Sequence, residues 1–196
     1  MRRGAASLGL TLAVALGGAT AATAQAASSN PAPQAAMGAL LTVCKPAAER
    51  QLALDVVADQ AGYVREAALP AGLPIVREQS RSWRVPSDTG EVHIIAGAIP
   101  EPAQASACMV AVYGDPMTGF EDDVTKRITA ADLGFALDPQ QSFTTAQYHV
   151  DHYTAQRGYL SRNIMVIRPV SVEPGHPTLS VIAYRVDYSW LRSISR

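Results

Sequence analysis

The chain has 196 residues, of which 48% are apolar and 17% are charged. A chain of this length forms one domain of ordinary size, and the apolar content excludes a disordered protein. Sixteen Lys and Arg residues are balanced by seventeen Asp and Glu residues, so the formal net charge is -1. This balance lacks the basic excess that is typical of nucleic-acid binding. The sequence therefore predicts a small folded protein without a nucleic-acid partner.

The first 26 residues have the composition of an export signal. Arg2-Arg3 gives a basic start, and an uncharged stretch rich in Ala, Leu, Val and Gly follows over residues 5–18. Ala24-Gln25-Ala26 then supplies the small-x-small pattern that signal peptidase requires. The apolar stretch is shorter than the roughly 18 residues of a spanning helix, which argues against an uncleaved membrane anchor. We therefore expect residues 1–26 to be a bacterial signal peptide, and the mature protein to be periplasmic or secreted without a membrane span.

Cys44 and Cys108 are the two cysteines of the chain. Export places them in an oxidising compartment, where two thiols in a small domain usually form a disulfide. A redox-active or metal-binding thiol is the alternative, but it would need a Cys-x-x-Cys pair or a third soft ligand. The sequence has no such pair and no further cysteine. We therefore predict one disulfide, between Cys44 and Cys108.

The beginning of the mature chain is predicted to be helical after a short tail. Residues 27–35 are small or polar and contain proline, which is typical of a flexible N-terminal tail. Leu40, Leu41 and Cys44 then recur at the spacing of one apolar helix face. Pro46 suits the first turn of a second helix. A helical period extends that second helix over residues 47–62.

From residue 81 onwards the pattern changes to the period of two that predicts strands. Two strands are expected around Trp83 and Ile94. Four more are expected over the segments 107–113, 145–153, 163–170 and 178–188. Segment 107–113 is almost wholly apolar, which predicts a central strand that is covered on both faces. A helical spacing of apolar residues from Phe120 to Ala131 separates the two strand groups.

Helices that are segregated from groups of strands are typical of an α+β fold. We expect N-terminal helices and one middle helix, packed on a mainly antiparallel sheet of about six strands. No repeat or linker divides the mature chain. Residues 36–196 are therefore predicted to form a single α+β domain.

The densest polar cluster of the chain runs from Tyr148 to Tyr153. Its residue types favour a strand, in which side chains alternate between the two faces. His149 and Asp151 would then share a face with Tyr153, as an acid/base pair or as two ligands of a metal. A metal would need a further ligand, for which His93 or His176 would have to be recruited. The simpler interpretation, which we favour, is that this face of the strand is solvated.

The sequence after residue 26 lacks the motifs of common enzyme classes. The nucleophile elbow, the phosphate-binding and dinucleotide-binding loops and the zinc-protease motif are all missing. We therefore assign no catalytic, metal-binding or cofactor-binding residue and expect no cofactor. The favoured hypothesis is a non-enzymatic module that binds an unknown protein or small molecule in the cell envelope. One alternative is a periplasmic hydrolase or metal-dependent enzyme centred on His149 and Asp151, and another is a structural accessory of an envelope assembly.

Overall fold

A sheet of nine strands, in which every neighbouring pair is antiparallel, forms the centre of the described part of this computed structural model. The structure describes residues 31–50, 53–73, 80–98, 106–114, 120–130 and 133–188. The strands are β1 Val64–Arg65, β2 Arg81–Val85, β3 Glu91–Ala98, β4 Ser106–Tyr113, β5 Ala136–Leu137, β6 Phe143–Thr144, β7 Tyr148–Arg157, β8 Leu160–Pro169 and β9 Leu179–Asp187.

The strand order is β1-β2-β3-β4-β9-β8-β7-β5, and β6 also pairs with β7. The α+β class and the mainly antiparallel sheet that the sequence predicts are thus confirmed. The predicted number of about six strands is too low, because β1, β5 and β6 have two residues each. A two-residue strand is too short to show an alternating pattern, whereas the six longer strands each show one or form an apolar run.

Three helical regions lie in the described residues. The first is continuous and consists of α1 Ala32–Ala39, a π-helical segment Leu40–Cys44 and α2 Lys45–Arg50. The other two are α3 Leu54–Gln60 and α4 Phe120–Thr129. The single helix that the sequence predicts over residues 47–62 is therefore divided, since Ala53 has an extended backbone and precedes α3 as its N-cap.

The first helix begins earlier than the sequence pattern indicates. Residues 32–35 are helical, so they do not belong to the flexible tail predicted over residues 27–35. Pro33 lies in the first turn, where its missing N–H costs no hydrogen bond. The Ala32 N–H donates to the Thr89 hydroxyl at 3.1 Å, and Ala32 and Ala35 are buried against the rest of the molecule. These contacts extend the helix beyond the start that the Leu and Cys spacing predicts.

The helices cover one face of the sheet, and the larger core lies between them and the strands. Leu40, Val43 and Ile128 pack there with strand residues such as Val110 and Val181. The opposite face carries a second apolar cluster, which includes Ile95, Met109, Ile182 and Tyr184. Strand β4 contributes buried side chains to both clusters, as its almost wholly apolar sequence predicts.

Cys44 and Cys108 are joined by the disulfide that the sequence predicts. Cys44 ends the π-helical segment, and Cys108 lies in β4, which has β3 and β9 as its neighbours. Their Cα atoms are 5.1 Å apart, and both side chains are buried. The bond therefore fixes the first helix to the middle of the sheet.

The N-terminal segment that we interpret as a signal peptide, residues 1–26, lies outside the described residues. Among the helices that the structure describes, none has the length and apolar character needed to cross a membrane.

Removal of the disulfide tests how far the fold depends on it. The two cysteines are 64 positions apart, and the chain-entropy model gives about 4 kcal/mol for a loop of that size. We expect the free energy of unfolding, measured by urea titration, to fall by about this amount when a reductant is added. The double variant Cys44→Ala, Cys108→Ala is the control, and its unfolding curve should not change with reductant. An equal response in the double variant would contradict the assignment.

Candidate functional site

The structure places the residues of the predicted acid/base cluster on β7 and gives each of them a different partner. His149 is exposed, and its Nδ1 lies 3.0 Å from the Thr144 hydroxyl. Asp151 forms an ion pair with Arg168 of the neighbouring strand β8. Tyr153 is buried in the core below the helices. The three side chains share a strand face, as the alternation predicts. They contact different residues, however, and do not form one site.

The two other histidines considered as metal ligands lie elsewhere. His93 is in β3, four strand spacings from β7, which corresponds to about 19 Å. His176 precedes β9 and packs on Gly72, where an added Cβ atom would clash with the imidazole ring. Neither position completes a site at His149. Within the described ranges, no group of three His, Cys, Asp or Glu residues could hold a metal ion.

An open recess lies where the first helix crosses strands β8 and β9. Its empty volume, including solvent at the mouth, is about 360 Å³, and the surface exposed inside it is apolar. One wall comes from the helix and the other from the sheet and from the segment before β5. The main apolar residues of these walls are Leu40, Leu41, Ala48, Phe135, Ile164 and Ala183. Such a surface suits an apolar group that is brought in from water.

Lys45 and Arg162 are the charged residues among those lining the recess, and they line it with the apolar parts of their side chains. Lys45 is the first residue of α2 and follows the disulfide-bonded Cys44 directly. The Arg162 guanidinium lies 5.2 Å from the centroid of the Phe135 ring, and its Nη2 donates to the Leu133 carbonyl at 3.2 Å. These contacts hold one cation in a defined place against the apolar wall.

Neither Lys45 nor Arg162 was singled out as a site residue from the sequence, although each leaves a signal there. Lys45 is one of two lysines in the chain, the other being Lys126. Arg162 occupies the strand face that carries the buried Ile164 and Val166. A cation on the buried face of a strand is an exception to the alternating pattern, and such exceptions often mark a site. The recess is formed jointly by the first helix, β8 and β9. Because these elements are far apart in the chain, their packing cannot be predicted from a local sequence pattern.

A second polar cluster surrounds His93 on the face of the sheet that the helices do not cover. The His93 side chain is 5% exposed, its Nδ1 lies 2.8 Å from Glu66 Oε2, and its Nε2 lies 3.4 Å from Glu91 Oε2. Arg84 pairs with the other oxygen of Glu91 at 3.0 Å. Tyr113 packs edge-on against the imidazole, and burial together with the two carboxylates raises the pKa of its hydroxyl far above the usual value. The His93 Nε2 has no hydrogen-bond partner in this cluster, and its contact with Glu91 is only a charge contact.

Comparison with protein-family models, with curated proteins and with solved structures finds no match to this chain.

His152 is a buried histidine on the uncovered face of the sheet, at 2% exposure. Its Nε2 lies 2.9 Å from the Tyr184 hydroxyl, whereas its Nδ1 has no hydrogen-bond partner. Burial lowers the pKa of His152, and the Asp138 carboxylate offsets only part of this effect. Burial also raises the pKa of Tyr184 to about 12. The pair is therefore uncharged at neutral pH.

The lowered pKa of His152 predicts a loss of stability in mild acid. Below the unfolded value of 6.5 the unfolded chain takes up a proton that the folded protein resists, so the stability present above this pH is lost as the pH falls towards the folded pKa. The loss is up to about 1.4 kcal/mol per pH unit between the two pKa values. Urea unfolding from pH 7.5 to 5 should show this dependence in the wild type and a weaker one in His152→Gln. His149→Gln, at an exposed position, should behave as the wild type, and equal slopes for all three proteins would contradict the assignment.

Proposed function

We propose that this protein is an exported, non-enzymatic binding module that holds the apolar part of a ligand in the recess between its first helix and strands β8 and β9. The observation that carries the proposal is that the surface exposed inside the recess is apolar. Burial of a ligand's apolar surface there supplies the free energy of binding, at about 25 cal/mol for each Å² that is removed from water.

The position of the disulfide supports this proposal. Cys44 lies between wall residues Leu40 and Leu41 and the charged residue Lys45, and it is bonded to the sheet through Cys108. The helical wall is therefore held at a fixed place on the sheet before any ligand arrives. A wall that is already in place costs little ordering entropy on binding.

The alternative of a hydrolase or metal-dependent enzyme centred on His149 and Asp151 gains no support from the geometry. Asp151 is paired with Arg168, and His149 contacts Thr144 at the surface. A general base or nucleophile needs a partner that orients it towards a substrate, and these two side chains are not partners of each other. We therefore retain the binding module as the proposal.

A neutral fluorescent probe, N-phenyl-1-naphthylamine, tests whether the recess takes an apolar group. We expect its emission to rise and shift to shorter wavelength with the wild-type protein. Ala48 lines the recess, so Ala48→Phe fills it and should weaken probe binding by about tenfold or more. Ala47 is also partly buried on α2 but is not among the lining residues, so Ala47→Phe is the matched control. No response from the wild type, or equal binding by Ala48→Phe, would contradict the proposal.

Export is tested separately by expression of the full chain in a Gram-negative host. We expect the protein to be recovered from the periplasm or the medium with an intact mass that begins at Ala27. Replacement of the small residue before the cleavage point, Ala26→Tyr, should block processing, whereas Gln25→Tyr should not, since the middle position tolerates large residues. A wild-type protein that keeps its first 26 residues would refute the predicted signal peptide.

A further inference from the structure

The edge of β7 that faces away from β8 is covered by residues 136–145, which we call the edge cover. Strand β5 pairs with β7 at residues 153–154, and β6 pairs with it at residues 149–150. The turn that joins β5 to β6 reaches His152, which lies between these two pairings. The Asp138 N–H donates to the His152 carbonyl at 2.7 Å, and the His152 N–H donates to the Ser142 hydroxyl at 3.0 Å. His152 is therefore at the centre of the contact between the edge cover and the sheet.

The edge cover is held mainly by polar contacts, because it buries little apolar surface. None of residues 136–147, all of which the structure describes, is buried. The large apolar residues of the edge cover, Leu137 and Phe143, are 50% and 53% exposed. A segment with few buried apolar contacts opens at a lower free energy than the core strands do. We therefore expect the edge cover to open while the long strands of the sheet stay paired.

On its sheet side, the His152 side chain lies among uncharged groups. Met165 of β8 lies directly opposite, and Nε2 is 2.9 Å from the Tyr184 hydroxyl of β9. Burial and the nearby Tyr188 raise the pKa of this hydroxyl to about 12, so it keeps its proton. Nδ1 has no hydrogen-bond partner among the described residues. An imidazolium at this position would carry an N–H without an acceptor, which is costly in a buried place.

The edge cover contributes the charge that acts on His152, the Asp138 carboxylate, but this group does not bond to the imidazole. Its Oδ2 accepts the Gln141 side-chain amide at 2.7 Å, and its Oδ1 accepts the Gln140 N–H at 3.0 Å. The bond from Gln141 is the main reason that the pKa of Asp138 is lowered, so this carboxyl stays ionised in mild acid. Its attraction for a charged imidazole is smaller than the effect of burial, which lowers the pKa of His152. A proton on His152 is therefore unfavourable while the edge cover is closed.

We propose that the edge cover is an acid-sensitive switch, in which uptake of a proton by His152 opens the cover and frees the outward edge of β7. To bring its side chain into water, His152 must leave its place in the strand, and this movement breaks its two backbone bonds to the turn. Opening also separates His152 from Asp138, but the gain in hydration is the larger effect. The open form binds a proton more tightly than the closed form, so a fall in pH favours opening. This inference does not depend on a ligand in the recess.

Hydrogen exchange followed by mass spectrometry tests the switch, with rates corrected for the pH dependence of exchange in free amides. At each pH the amides of the edge cover should be less protected than those of the central strand β4, because the cover opens locally. Between pH 7.5 and pH 5 the protection of the edge cover should fall by about threefold to thirtyfold, as the open form takes up a proton.

Two results with the wild-type protein would overturn the inference. Equal protection of the edge cover and β4 would mean that the cover does not open by itself. Protection that falls with pH in β4 but not in the edge cover would mean that His152 takes up its proton only when the whole protein unfolds.

Substitutions assign the effect to a single histidine. In His152→Gln the protection of the edge cover should no longer depend on pH. His149 also contacts the edge cover, through Thr144, so His149→Gln is the matched control and should keep the wild-type dependence. The opposite behaviour of either variant would contradict the assignment. Circular dichroism establishes folding, and His152→Asn serves if His152→Gln is not folded; the wild-type comparison with β4 stands without either variant.

Ser142→Ala tests whether the edge cover depends on its bonds to His152. The variant removes the acceptor of the His152 N–H. Amides of the edge cover should then exchange about fivefold faster at both pH values, with the same change between them, since the lost bond contributes equally at each pH. Exchange at the wild-type rate would show that these bonds do not hold the cover closed, and the proposed coupling would fail.

Discussion

Cys44 is a helix residue and Cys108 lies near the middle of the sheet, so the bond between them holds the two layers of the molecule together at one point. A short amphipathic helix does not determine by itself how it lies on a sheet, because its stability comes mainly from packing. The bond restricts that choice and turns Leu40 and Val43 towards the strands. Lys45, the next residue, is thereby placed at the recess. The apolar wall and its cation thus depend on the same covalent constraint.

Sequence patterns predicted the fold class because the longer strands alternate or form apolar runs, and β4 is almost wholly apolar. The patterns did not predict β1, β5 or β6, because a strand of two residues is too short to show an alternation of polar and apolar residues. The early start of the first helix depends on the contact of Ala32 with Thr89, two residues that are far apart in the chain. Contacts between residues that are far apart in the chain leave no local sequence pattern. They determine where a helix or strand begins and ends more than whether it forms.

The candidate site was harder to predict than the fold, because its residues come from elements that are far apart in the chain. His149 and Asp151 are close in sequence, yet their partners lie in two other strands, Thr144 in β6 and Arg168 in β8. Lys45 and Arg162 are 117 positions apart and meet only where the first helix crosses β8. In the sequence, a site that is assembled from distant elements is visible only as an exception to the alternation of polar and apolar residues, such as a cation among buried residues.

The strand order joins two meanders. Strands β1 to β4 follow one another in the chain, as do β7 to β9, and the pairing of β4 with β9 is the seam between them. Each meander forms from contacts between strands that are neighbours in the chain. Pairing of β4 with β9 must close a long loop, and its entropic cost makes this pairing the slower folding step. The first helix is tethered to β4 but also packs on β9, so its recess exists only when the seam has closed. Occupancy of the recess would therefore report on complete assembly of the sheet and would favour the assembled state over any form in which the two halves have come apart.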